Sequence, residues 1–401
     1  MDMLSDLMEY VPEGELYKRI QSFQQILQSH EIDYAIIIQN VNVYYFTGSI
    51  QKSYLIIPAR KEPLFLVQKD ADRAKIESCV PVIDLQSMKQ LPEIISSSGL
   101  KGKPKVGLEF DFLSLTMFGK LQKLFGPENF VDISLDLLSI RARKSDYELE
   151  QIKRSGQICD HVFSRVSSYL QEGMSEVELS AVLQAEGRKN GHQGIMRMRG
   201  LNQELTNPHV LAGPSGAVSS FGDVPLCGCG MTPAVAQGAS RRKIGRDEPV
   251  IIDYGAGYNG YITDETRTYV LGSMDAKLCK AYSLSLDILH FFETEAHQGA
   301  NARDLFAEIE RMVGKQNVLD HFMGYGKNKV SFVGHGIGLT LNELPVIAKN
   351  RDETLEMGMV IAVEPKFVFP GQGAVGVEAD YIVGREKAER VTGYSTEAQY
   401  V

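Results

Sequence analysis

From Tyr34 onward the chain alternates short apolar runs with amphipathic ones. Tyr34-Ala-Ile-Ile-Ile, Ser53-Tyr-Leu-Ile-Ile, Pro63-Leu-Phe-Leu-Val, Val80 to Leu85 and Lys105 to Phe110 are short and mostly β-branched or aromatic, which predicts strands. Asp70 to Ser78 and Ser114 to Phe125 between them are helix-like. This rhythm over 34–135 predicts an α/β first domain. Ser145-Asp-Tyr-Glu148 then spells a capping box, in which serine accepts from the third helical N–H and glutamate reaches back. It opens a long helical stretch and sets a boundary near 143, giving domains 1–142 and 143–401.

Inside the second domain, Glu172-Gly173-Met-Ser175-Glu-Val-Glu178-Leu179 is echoed 126 residues later by Gln298-Gly299-Ala-Asn301-Ala-Arg-Asp304-Leu305. Each copy closes one helix at a glycine and caps the next with Ser175 or Asn301. Two equivalent helix pairs predict a duplicated α+β domain with pseudo-twofold symmetry, each pair covering half of a sheet.

Gly255-Ala-Gly257-Tyr-Asn-Gly260 has the spelling of a dinucleotide-binding turn. That turn needs a following helix whose free N–H groups hold a pyrophosphate. Tyr261 to Val270 is instead crowded with β-branched and aromatic residues, so the glycines predict a hairpin. A second hairpin joins Met359–Phe369 to Ala374–Val383. If its turn centres on Gly371-Gln372, Glu364 stands almost opposite Glu378 on the same face. The first hairpin brings Asp253 near Asp264, with an offset that asks for a bulge or diagonal pairing. The Gly- and Pro-rich stretch 191–247 is long for an irregular segment, which predicts a pocket wall or lid with short strands such as Ile195-Met-Arg-Met-Arg199.

Carboxylates embedded in runs such as Val-Ile-Ile-Asp253 and Ile-Ala-Val-Glu364 are costly to bury unless cations neutralise them. His335, among the small residues of Val333-Gly-His335-Gly-Ile-Gly, completes a set of four carboxylates and one imidazole. Such donors suit a pair of Mn²⁺, Co²⁺, Fe²⁺ or Zn²⁺ ions, which together can polarise a carbonyl. Taken singly, each acid reads more readily as a solvated or salt-bridged residue and the histidine as a satisfied core residue. Convergence is the test.

Composition narrows the setting. With 42 Lys plus Arg against 51 Asp plus Glu, the net charge of −9 opposes non-specific binding to nucleic acid or an anionic membrane. The acidic start Met1-Asp-Met-Leu-Ser-Asp-Leu-Met-Glu9 does not read as a signal peptide, and no run approaches the length of a membrane span. Five scattered cysteines fit a reducing cytoplasm better than a disulfide framework.

The motifs Ile252-Asp253-Tyr-Gly255, Gly260-Tyr261-Ile-Thr-Asp264-Glu-Thr-Arg267-Thr268, Gly334-His335-Gly-Ile-Gly-Leu339, Glu364-Pro365 and Val377-Glu378 resemble those of the pita-bread metallohydrolases. That family includes Xaa-Pro aminopeptidases, prolidases, methionine aminopeptidases and the metal-free creatinases. The resemblance covers 143–390 and implies a creatinase-like α/β N-terminal domain before a pita-bread catalytic domain. It implies that Asp253 ligates one metal ion, that Asp264 and Glu378 bridge two, and that His335 and Glu364 ligate the second. Glu364 is then also the proton carrier, so the catalytic residues are Glu364 and His335. A cytoplasmic homodimer acting on a small peptide or amino-acid derivative, with manganese as the favoured ion, is implied as well.

Three positions depart from that pattern. Asn342 stands where proline-specific relatives carry a histidine, Gly376 where an arginine is common, and Ala236 where an upstream histidine is expected. His209 is a candidate replacement for the last, and Asn342 can still donate a hydrogen bond to substrate. Three functions stay open: an Xaa-Pro peptidase, a creatinase-like hydrolase or lyase acting on a non-peptide molecule, and a catalytically silent binding module.

Overall fold

The computed structural model describes residues 7–100, 102–126 and 129–401, so Met1–Asp6 of the acidic start lie outside the described residues. The chain divides into two compact units, Met1–Ile140 and Arg141–Val401.

The first unit opens with helix α1 (Glu13–Ser29) and strand β1 (Tyr34–Ile37), followed by α2 (Asn40–Thr47), β2 (Ser53–Pro58), β3 (Leu64–Val67), α3 (Ala71–Glu77) and β4 (Val82–Asp84). Helix α4 (Leu91–Ser97), β5 (Lys105–Leu108), α5 (Leu115–Phe125) and β6 (Asn129–Asp132) complete its sheet, in the order β4-β3-β2-β1-β5-β6. Strands β1 and β2 are buried at every residue, the signature of strands covered on both faces. Helix α6 (Ser134–Ala142) runs across the division between the units.

In the second unit the predicted capping box is present, with Ser145 and Glu148 closing the start of α7 (Asp146–Tyr169). Ser175 caps α8 (Glu176–Lys189), and Asn301 caps α10 (Ala302–Lys315), which follows α9 (Ala276–Glu295). At the 126-residue offset α10 repeats both ends of α8 and α9 repeats the C-terminal end of α7, and Gly173 and Gly299 both adopt positive φ between the helices. The first pair packs on β7 (His209–Ala212), β8 (Pro249–Tyr258) and β9 (Tyr261–Val270) through Val162, Leu179, Val210, Ile252 and their neighbours. The second packs on β10 (Phe332–Gly336), β11 (Glu343–Ala348), β12 (Val360–Val363), β13 (Lys366–Phe369), β14 (Gly373–Gly376), β15 (Ala379–Val383) and β16 (Ala388–Arg390). Each helix pair therefore covers its own strands. β17 (Gln399–Tyr400) extends the β9-β8-β7 sheet.

The glycine motif is a hairpin, as its sequence predicts. Tyr258 pairs with Tyr261, and Asn259 (φ 45°) and Gly260 (φ 89°) make the two-residue left-handed turn that matches strand twist. Of the irregular stretch 191–247, only His209–Ala212 forms a strand. Ile195–Arg199 does not, because it has a single bridge, from Met198 to Leu341, and no strand to pair along.

Candidate metal centre

Register places the two aspartates. In the β8–β9 hairpin Asp253 is opposite Thr266 and Asp264 opposite Gly255, so the aspartates are diagonal neighbours on one face and no bulge is needed. The glutamates come from a longer ladder. β12 pairs with β15 (Val363 opposite Ala379) and β13 pairs with β14 (Lys366 opposite Gly376) in one continuous register. At the junction that register sets Glu364 directly opposite Glu378, one step closer than a turn centred on Gly371-Gln372 gives, since the loop is the three residues Pro370–Gln372. Backbone bonds exchanged between Thr266 and Glu378, with the Thr266 hydroxyl donating to Glu378 Oε2 at 2.8 Å, join the hairpin to the ladder.

His335 enters from β10, paired with Ala362 of β12. A Cβ on Gly334 would lie 2.7 Å from the Ala362 carbonyl oxygen, and one on Gly336 would lie 2.2 Å from that of Leu344, so only glycine lets these strands close around the histidine. His335 Nε2 is 4.0 Å from Asp264 Oδ2 and 3.9 Å from Glu364 Oε1. Its Nδ1 is 3.2 Å from the Gly336 carbonyl, and an Nδ1–H donated there leaves the Nε2 lone pair toward the carboxylates.

A sixth residue shares the site. Lys366 is two positions beyond Glu364 and so lies on the same strand face. Its buried Nζ donates to Glu378 Oε2 (2.7 Å), Glu364 Oε2 (2.8 Å) and Asp253 Oδ2 (3.1 Å). Opposite it, Gly376 leaves its stem room, because a Cβ there would stand 2.9 Å from Lys366 Cγ. The position where the resemblance expects an arginine is thus empty of side chain, and the positive charge arrives from the facing strand.

Electrostatics follow this asymmetry. Burial opposes the Lys366 charge, but Asp253, Glu364 and Glu378 outweigh it and hold the ammonium well above its ordinary value. Asp253 is likewise penalised by burial, yet Lys366 and His209 keep it below the usual carboxylate range. Asp264, which Lys366 does not touch, goes well above that range through burial and the charges of Glu378 and Asp253. Glu378 is pushed up to about 8, by burial first and then by Glu364 and Asp253 against the pull of Lys366.

The cavity over these groups is lined by Met198, Leu205 and Asn207 from one irregular segment and by Pro225 and Leu226 from another, so the stretch 191–247 does wall the pocket. His209 lines it and pairs with Asp253 in the β7–β8 register. Its Nε2 is buried without a hydrogen-bond partner among the described residues, and burial lowers its pKa. Asn342 lines the same cavity from an exposed left-handed position (φ 61°), a conformation asparagine tolerates.

Two buried charges brace the frame. Glu343 accepts from the backbone of Leu339 and Thr340 and is paired with Arg141 and Lys144, which ties down the loop between His335 and Asn342. Arg267, fully buried, pairs with Glu265 at 2.7 Å and donates to the Glu378 carbonyl at 2.7 Å.

Residues 150–385 match the model of metallopeptidase family M24, and 19–143 match the creatinase/prolidase N-terminal domain. The chain belongs to metallopeptidase family M24. It is 27% identical to an Xaa-Pro dipeptidase of Pyrococcus furiosus over 94% of this chain and 97% of that protein. Among solved structures, the prolidase from Pyrococcus furiosus superposes with a TM-score of 0.76 at 26% identity over 93% of this chain and 99% of its own. The Xaa-Pro dipeptidase from Bacillus anthracis superposes at 0.82 and 24% identity, over 96% of this chain and 100% of that one, a likeness of fold. The architecture is accordingly a creatinase-type N-terminal domain followed by the pita-bread fold, and M24 membership makes the chain a metallohydrolase dependent on divalent metal.

The residues present fit such an ion at one place. Asp264, His335 and Glu378 bring ligand atoms within 4.8 Å of one another, and Glu378 Oε1 is buried with no hydrogen-bond partner among the described residues. An orphaned carboxylate oxygen beside an imidazole lone pair is a ligand set in need of a cation.

Proposed function

We propose that this M24 chain hydrolyses the amide bond of small Xaa-Pro peptides. The observation that carries the reading is the meeting of Asp253, Asp264, Glu364, Glu378 and His335 at one cavity. The Xaa-Pro dipeptidase relative, aligned over nearly the whole chain, supports the substrate class.

Asp264, His335 and Glu378 would hold a divalent ion, with Asp253 and Glu364 completing the acidic shell. A bound ion there would supply Lewis-acid chemistry, polarising the scissile carbonyl and acidifying the attacking water. Glu364 takes the proton from that water and returns it to the leaving nitrogen, a transfer worth roughly 10²–10⁴ in rate. His209 and Asn342 orient the substrate. Manganese suits an oxygen-rich shell with one imidazole, and a homodimer in the cytoplasm, in keeping with five free cysteines, completes the proposal.

Asn342 favours one second reading, a small non-peptide amide, because it offers a neutral donor where a cationic histidine is expected. Assaying Xaa-Pro dipeptides beside small amides with Mn²⁺ separates the two. The proposal expects proline dipeptides to be cleaved and Glu364→Gln to lose about 10²–10⁴ of turnover. Turnover of the other amides alone would replace it with the second reading.

A further inference from the structure

Resting on the metal-dependent reading above, we infer that Lys366 takes the place of one metal ion, so that the centre holds a single divalent ion and an ammonium built into the chain.

The geometry divides the carboxylates into two sets. One consists of Asp253, Glu364 and Glu378, whose oxygens converge on Lys366 Nζ at 3.1, 2.8 and 2.7 Å. The two to the glutamates have charge-assisted lengths and the one to Asp253 an ordinary hydrogen-bond length, and three acceptors match the three donors of an ammonium. The other set is Asp264, His335 and Glu378, the ligand group for an ion. Glu378 belongs to both. Its Oε2 is taken by Lys366 and Thr266, while its Oε1 has no partner among the described residues. A carboxylate in that state bridges a lysine and an ion.

Space and charge agree. Two ions in a shared site sit about 3.5–4 Å apart, and a second ion on Asp253, Glu364 and Glu378 would have to displace the buried Nζ. Lys366 is held by its place on the strand, opposite Gly376, whose missing side chain admits its stem. Four carboxylates, one ammonium and one divalent ion leave a single negative charge; a second ion would make the centre cationic.

The test counts ions without using turnover. Purified full-length chain is stripped with chelator, saturated with Mn²⁺, desalted and measured by elemental analysis and electron paramagnetic resonance. One Mn²⁺ per chain with the six-line spectrum of an isolated ion is expected, rising to two per chain in Lys366→Ala. Two ions in the wild-type protein overturn the inference and leave the metallopeptidase reading standing, and an unchanged count of one in Lys366→Ala overturns the role given to the lysine. No bound Mn²⁺, Co²⁺ or Zn²⁺ at all removes both readings. If Lys366→Ala does not fold, the wild-type count and spectrum decide alone.

Discussion

Glu343 touches no ligand group, yet it is where a single charge carries much of the site's rigidity. Burial opposes its ionisation, but Arg141 and Lys144 overrule that and hold it down to about 2 from an ordinary 4.5. Burial pushes Lys144 itself down, so the permanent charge facing Glu343 is the Arg141 guanidinium. A carboxylate depressed on folding stabilises fully above its unfolded value and loses that stabilisation as pH falls toward its folded one. For Glu343 the window runs from about pH 4.5 down to about 2, and the shift corresponds to about 3 kcal/mol at neutral pH. Glu343→Gln is therefore expected to destabilise the Arg141–Val401 unit by about 3 kcal/mol at pH 7, with the deficit roughly halved at pH 3. Urea unfolding of both proteins at the two pH values reads this directly. An equal deficit at both would mean that shape, not charge, is what Glu343 supplies.

At the level of strands, the approach of β10 to its neighbours depends on missing side chains. Gly336→Ala places a methyl 2.2 Å from the Leu344 carbonyl oxygen, which forces backbone apart beside His335. The expected cost is about 1–3 kcal/mol, together with Mn²⁺ affinity weakened by about tenfold or more, as when the support of a metal ligand is disturbed. Gly119→Ala, inside α5 with open space around it, is the matched control and should stabilise by roughly 0.5–1 kcal/mol. Thermal unfolding and Mn²⁺ titration of the two variants separate crowding from helix propensity. The same strands mark how far the sequence could be read. Period-two alternation and turn chemistry are enough to bring Glu364 across from Glu378 and Asp253 near Asp264, because register follows from where a hairpin turns. Lys366 was equally accessible, two residues beyond a ligand on the same strand, but a lysine in a strand reads as an edge residue until its cross-strand partner is known to be Gly376. Helix α1 went unread although Leu16, Ile20, Phe23 and Leu27 bury at helical spacing. Ile195–Arg199 misled in the other direction, since β propensity without a neighbouring strand yields only extended chain. His209 is a site candidate from the resemblance alone, because its place beside Asp253 depends on β7 pairing with β8 across the stretch 213–248.

For the molecule as a whole, the metal and the lysine divide one task, neutralising acids that apolar strands hold together. If Lys366 answers for Asp253 and Glu364, chelation exposes only the charge repulsion around Asp264 and Glu378, and the fold should survive the loss of its ion. A ligand bound to the folded state alone stabilises by about 2.7 kcal/mol when present at a hundred times its Kd, which for a unit of this size corresponds to a fall of roughly 5–10 °C in Tm on chelation. Adding Mn²⁺ back should restore it. Hydrogen exchange locates the effect: protection should drop in β8, β9, β12 and β15 around the ligands, while Met1–Ile140, which contributes none of them, stays as it was. Collapse of the unit on chelation would show that the ion carries charge the lysine does not offset. A Tm indifferent to both chelator and Mn²⁺ would show the reverse, a centre whose acids are satisfied by the chain's own ammonium, and in that case the peptidase chemistry loses the Lewis acid on which it depends.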